Sequence, residues 1–102
     1  MKRTKAVAIP KEVKESVWER DGERCIFCRR WVTVHCANAH VINRSQGGLG
    51  IVQNIITACP DCHRELDNGV LAKMYRDRAI EYMREQYEGW TRDSVTYKKG
   101  EI

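Results

Sequence analysis

The sequence predicts a small α+β domain stapled by a four-cysteine metal site and flanked by helices. Three features carry that prediction. Two C-x-x-C pairs, Cys25/Cys28 and Cys59/Cys62, stand thirty residues apart. The segment between them holds short strand-like and apolar stretches broken by a glycine-rich loop, and a run from Val70 to Glu88 free of Pro and Gly carries apolar residues on one broad face. A chain of 102 residues supports one modest core, and one Phe, three Trp and four Tyr make that core thin. Cores of this size usually need a staple.

Residues 1–9 carry Lys and Arg without periodicity and read as a loose basic arm. In "PKEVKESVWERDG", Pro10 is placed to open a helix, Val13 and Val17 lie one turn apart, and Asp21-Gly22 stops it. "RCIFCRR" suits a knuckle that aims two thiolates at one metal. Trp31, Val32 and Val34 favour a strand in "WVTVHC", and "AHVIN" reads as a second one. Three glycines in the seven residues of "RSQGGLG" demand a loop, with Gly47 and Gly48 letting it turn. "NIITACPDC" runs apolar into the second knuckle, and "HRELDNG" follows as a helical turn or two. On the helix predicted over 70–88, Leu71, Met74, Tyr75, Ile80, Met83 and Tyr87 share the apolar face, and Gly89 suits the position after its end. The polar tail 89–102, with isolated aromatics, receives no assignment. The organisation expected is therefore a single domain over 1–102: basic arm 1–9, cysteine clamp and its insert 11–69, helix 70–88, tail 89–102.

Lys and Arg number 18 against 14 Asp and Glu, a formal charge of +4 that mildly favours an anionic partner such as nucleic acid. No apolar run approaches the roughly 18 residues of a membrane span, and only "AVAI" follows the basic start before Pro10, too short for a signal-peptide core. An intracellular protein without membrane contact is expected. There, paired cysteines are more often metal ligands than disulfides, and an odd total of five argues further against a disulfide framework.

Cys25, Cys28, Cys59 and Cys62 can supply four thiolates to one tetrahedral structural Zn²⁺. The thirty-residue insert exceeds zinc-ribbon spacing, so something the size of a hairpin must fit between the knuckles. Zinc of that kind contributes on the order of 10 kcal/mol to folding. The fifth cysteine, Cys36, reads as a small buried hydrophobe. Beyond the clamp stand His40, Asn54, His63 and Asp67. If 63–67 is helical, His63 and Asp67 lie one above the other, and an imidazole and a carboxylate so placed can share a second divalent metal.

The stretch "HVINRSQGGLGIVQNIITACPDCH" resembles the HNH endonuclease family in its zinc-bearing form, and looks most like the small HNH proteins of bacteriophages and prophages. His40, Asn54 and His63 match the three letters, fourteen and then nine residues apart; the resemblance covers about Val17 to Gly69. It implies a ββα-metal unit, a β-hairpin packed on a helix with one catalytic divalent cation between them. Carried onto this chain, His40 is the general base, Asn54 orients its imidazole, and His63 binds the cation. Asp67 is a candidate second ligand, and Mg²⁺ or Mn²⁺ the expected ion, with Ni²⁺ or Zn²⁺ as alternatives. The resemblance also sets Arg44 near the scissile phosphate; a solvated loop charge is an equal reading.

The chemistry wants these types. Water attacking a phosphodiester needs a base near neutral pH, which imidazole provides, and an acceptor on its other nitrogen fixes the tautomer. A cation opposite the base neutralises charge on the phosphate and the leaving 3′ oxygen. One position departs from the family pattern: Ala39 stands where Asp or His commonly ligates the metal. His35, five residues before His40, is a poor substitute and reads as a surface histidine. Arg64, Arg76, Arg78 and Arg84 interleave with Glu65, Asp77, Glu81 and Glu85, so intrahelical ion pairs are expected rather than a binding patch.

Two functions follow. One is a metal-dependent DNA endonuclease, nicking or cutting both strands, monomeric or weakly dimeric, in the cytoplasm of a bacterial host and associated through the phage resemblance with terminase subunits and DNA packaging. The other is a weak or inactive zinc-ribbon-like adaptor that binds DNA or protein.

Overall fold

A computed structural model describes residues 3–98; Met1 and Lys2 of the predicted arm and residues 99–102 of the predicted tail lie outside them. The arm is not loose where it is described. Arg3–Val7 form a short helix, α1, that buries Val7. Five residues are too few to hold a helix by propensity, so contacts with the rest of the chain hold it. Helix α2 (Lys11–Arg20) follows Pro10, whose carbonyl accepts from the Val13 and Lys14 N–H groups, and buries Val17 completely.

The end of α2 is tied to the middle of the chain by a buried ion pair. The Asp21 carboxylate accepts from Arg20 Nε (2.8 Å), the Thr57 N–H (2.8 Å) and the Tyr82 hydroxyl (2.6 Å). Burial and then the Asp21 hydrogen bond push the Tyr82 phenol up to about 12. Arg20 also donates to the carbonyls of Val52 and Ile55. Asp21→Ala would leave the guanidinium and the Thr57 N–H short of their main acceptor. The expected loss is about 3–5 kcal/mol of stability, read as a lower urea midpoint, and an unchanged midpoint would contradict it.

The first knuckle closes when the Cys25 N–H donates to Arg30 C=O and the Arg29 N–H to Cys25 C=O, with Arg29 in the left-handed region at φ 66°. The strand predicted in "WVTVHC" is absent. Trp31 makes one isolated bridge to Arg24, and Val34–Cys36 is a single 3₁₀ turn. Val32 N–H is taken by Glu23 C=O in closing the knuckle, so no adjacent strand remains for this segment to join. Cys36 is half-buried rather than buried.

The sheet has two short antiparallel strands, β1 (Ala39–His40) and β2 (Ile55–Ile56), with Ala39 opposite Ile56 and His40 opposite Ile55. In the loop between them Gly47 takes φ 83°, and a Cβ on Gly48 would run into the Ile42 carbonyl, which explains the double glycine. Helix α3 (Pro60–Asn68) starts three residues earlier than "HRELDNG" suggested, because Cys59 caps it: its sulfur accepts the Cys62 N–H, and Pro60 occupies the first turn. Hairpin and α3 share one core with α4 (Ala72–Gln86), in which Ile42, Ile56, Leu66 and Met83 are fully buried.

Helix α4 covers that core with Ala79 and Met83, while Leu71 and Met74, predicted on the apolar face, are 48% and 50% exposed. The apolar arc is wider than the small core can cover. The helix ends at Gln86, and Gly89 takes φ 75° only after an extended Tyr87. The unassigned tail completes the core. Trp90 is buried and donates its indole N–H to Gln53 C=O (2.6 Å), Val95 is buried, and Thr96 bridges Gly48. No helix among the described residues is long and apolar enough to cross a membrane.

Candidate active site

The four clamp sulfurs lie within 4.8 Å of one another, and Cys28 Sγ is 3.7 Å from Cys59 Sγ. A tetrahedral zinc with bonds near 2.3 Å has sulfur–sulfur edges of about 3.8 Å, so this donor set fits a structural zinc. Burial disfavours the Cys25 thiolate, but the N–H groups of Cys28, Cys59 and Phe27 outweigh it and bring that thiol down to about 7. Burial, then the neighbouring sulfurs, push Cys62 up. Thiolates this close repel one another unless a cation lies among them. The clamp also fixes the start of α3, and His63 is the residue after its last cysteine.

His63 and Asp67 stand one turn apart on α3, with Nε2 3.1 Å from Oδ2. As they stand the two groups pair directly with each other. Two ligands bound at right angles at about 2.1 Å are also about 3.0 Å apart, so the same separation is compatible with adjacent positions on a divalent cation. Both residues line a cavity of about 620 Å³, together with His40, Arg44 and Lys14. Four predicted residues from β1, the hairpin loop and α3 therefore open into one space.

His40 is 8% exposed, and its Nε2 lies 2.9 Å from Val7 C=O. A carbonyl oxygen only accepts, so the proton sits on Nε2 and the lone pair on Nδ1. Burial lowers its pKa below the ordinary imidazole value; the Val7 carbonyl and Asp67 oppose that shift, while the charges of Arg44 and His63 favour it.

Asn54 is arranged otherwise than expected. Its fully buried amide accepts from the Ile42 N–H (2.9 Å) and donates to the carbonyls of Ile42 (3.2 Å) and Leu49 (2.9 Å), with no hydrogen bond to His40. It pins the loop that follows β1, and the Val7 carbonyl occupies the place expected of it on the imidazole. Ala39 is fully buried in the core and offers no donor. His35 is exposed, as expected of a surface histidine.

Of the four arginines expected in helical ion pairs, Arg64 pairs with Asp61 (3.4 Å). Arg76 instead donates to the carbonyls of His40 (2.9 Å), Val41 and Leu66, anchoring α4 beneath the strand that carries His40. Lys14, Asn38 and Asn43 line the cavity without having been singled out in the sequence. Nothing in "PKEVKES" distinguishes Lys14 from Lys11; only the fold turns it inward.

A family model for HNH endonucleases matches residues 25–69, the span from the first clamp cysteine to the end of α3. Anaredoxin from Nostoc sp. (strain PCC 7120 / SAG 25.82 / UTEX 2576) is 32% identical over 62 residues, 60% of this chain and 79% of that protein. The chain belongs to the HNH endonuclease family. Its two-stranded antiparallel sheet, the helix packed on it and the clustered cysteines are consistent with the HNH ββα-metal unit. The HNH match leaves α1, α2, α4 and the tail outside it, although Ala8 and Ile9, which follow α1, and Lys14 of α2 line the cavity. No solved structure matches the chain.

Proposed function

We propose that this chain is a single-domain, metal-dependent DNA endonuclease with His40 as general base. The observation that carries the reading is the common cavity, into which a buried imidazole with its lone pair on Nδ1 and the His63–Asp67 pair both open. His40 takes a proton from water as that water attacks phosphorus. The bond from phosphorus to the 3′ oxygen breaks, the departing oxygen takes a proton from a second water, and His40 gives its proton back to solvent, leaving 5′-phosphate and 3′-hydroxyl ends. His63 and Asp67 would hold a divalent cation such as Mg²⁺ or Mn²⁺. Bound there, it supplies neutralisation of the charge growing on the phosphate and the leaving oxygen. Asn54 acts through the backbone it pins, as a positioning residue for the hairpin loop. Arg44 and Lys14 face the phosphates.

The test is conversion of supercoiled plasmid with Mg²⁺, Mn²⁺, Ni²⁺, Zn²⁺ or EDTA. Nicked or linear product with a cation and none with EDTA is expected; cleavage surviving EDTA, or none with any cation, would contradict the reading. Phosphate contacts make cleavage salt-dependent, and Lys14→Ala should reduce the slope against log salt by about one. An unchanged slope would remove Lys14 from the interface.

The pH dependence has a definite sign. Burial holds His40 below its ordinary value of about 6.5, so Nδ1 stays unprotonated at neutral pH and the rate falls only as pH drops below that range. Arg44 from the loop and His63 from α3 oppose protonation, and Asp67 from α3 favours it. A pH–rate profile with its acid limb above the ordinary imidazole value would overturn this.

The phage context, a terminase-linked role in DNA packaging and a bacterial cytoplasmic location rest on the resemblance of "HVINRSQGGLGIVQNIITACPDCH" alone. Activity retained on addition of terminase subunits, and co-purification with them, is the check; no association would remove that part. One observation favours a second reading, a DNA- or protein-binding adaptor: Ala39 contributes no metal ligand. A folded, zinc-loaded protein that binds DNA without cutting it in any cation would establish that reading instead.

A further inference from the structure

We propose that the N-terminal segment 3–9 is a positioning element for His40, with the Val7 carbonyl fixing the imidazole. This rests on the reading of His40 as the base. The segment lies outside the matched residues 25–69, yet three separate attachments hold it over the hairpin. Val7 C=O accepts from His40 Nε2 at 2.9 Å, and Ala6 C=O accepts from the Gly50 N–H at 3.0 Å. Arg3 Nη2 donates to the carbonyls of Arg44 (2.9 Å) and Ser45 (2.7 Å) at the cavity rim.

The loop is shaped to receive it. A Cβ on Gly50 would collide with the Ala8 carbonyl, so the close approach of strap and loop depends on that glycine. Carbonyls in the last turn of a helix lack intrahelical partners and carry partial negative charge, which suits an N–H donor. Among the described residues the His40 ring makes no other hydrogen bond, so the strap alone fixes which nitrogen is protonated. It does for the imidazole what the Asn54 amide, occupied with Ile42 and Leu49, does not.

The test uses the full chain, wild type beside Gly50→Ala and Arg3→Ala. Gly50→Ala pushes the strap away without altering a site residue; Arg3→Ala removes only an exposed clasp and keeps the test open should the first variant fail to fold. Long-range ¹H–¹⁵N spectra of the His40 ring report the tautomer without reference to activity, and kcat and KM are measured on a DNA duplex with zinc content as the control. Wild type should show the proton on Nε2. Gly50→Ala should mix the tautomers and lower kcat by about 10²-fold with little change in KM; Arg3→Ala should move both readouts in the same direction by less. A wild-type ring protonated on Nδ1, or variants with unchanged tautomer and kcat, would overturn the proposal. A tautomer shift in a protein that cuts nothing would uphold the strap and sink the nuclease.

Discussion

Cys59→Ser is expected to unfold the domain. Cys59 is fully buried, its sulfur stands 3.7 Å from Cys28 Sγ, and it caps α3 by accepting the Cys62 N–H. Serine keeps a capping oxygen but removes a thiolate from the clamp. A structural zinc contributes on the order of 10 kcal/mol, comparable to the whole stability of a small domain, about 5–15 kcal/mol. The hairpin offers only two paired residues per strand to compensate. Loss of helical circular dichroism together with loss of zinc is the expected result, and wild-type protein treated with a strong chelator should follow it. A zinc-free Cys59→Ser protein with native spectra would show that the clamp does not hold the fold.

His40→Ala should do the reverse. Removing a general base costs about 10²–10⁴-fold in rate, while the surroundings that hold β1 survive: its pairing with β2 and the Arg76 hydrogen bonds to the His40 and Val41 carbonyls use backbone only. Folding and zinc content should therefore match wild type as single-turnover cleavage collapses. Unfolding of the variant would make His40 a core residue whose burial, not its basicity, matters.

What was legible in the sequence was what depends on local spacing. The two C-x-x-C pairs announce sulfurs that the fold brings within 4.8 Å, and the four-residue interval from His63 to Asp67 announces a pair one helical turn apart. Glycines at 47 and 48 announce the loop. Features that depend on distant partners were not legible. Trp90 reads as an isolated aromatic in a polar tail until its indole meets the Gln53 carbonyl across the fold. Arg76 looks like any charge on an amphipathic helix, yet its guanidinium spans three carbonyls from two other elements. Residues 3–7 lack periodicity because their order is imposed by the hairpin they cover. The strand expected at "WVTVHC" failed for the complementary reason: local β propensity had no neighbour to pair with once the knuckle had closed. The role expected of Asn54 on the imidazole could not be checked by spacing, since two backbone carbonyls and an N–H compete for the same amide.

The central claim is a cation-dependent cut made by His40 despite Ala39. Its most direct test is single-turnover cleavage of a DNA duplex by wild type and His40→Ala side by side, in Mg²⁺, in Mn²⁺ and in EDTA, with zinc content measured on the same samples. Cleavage by the wild type in at least one cation, absent in EDTA and reduced at least about 10²-fold in the variant at equal zinc, is the predicted result. Equal rates for the two proteins, or a folded, zinc-loaded wild type that cuts in neither cation, would contradict it.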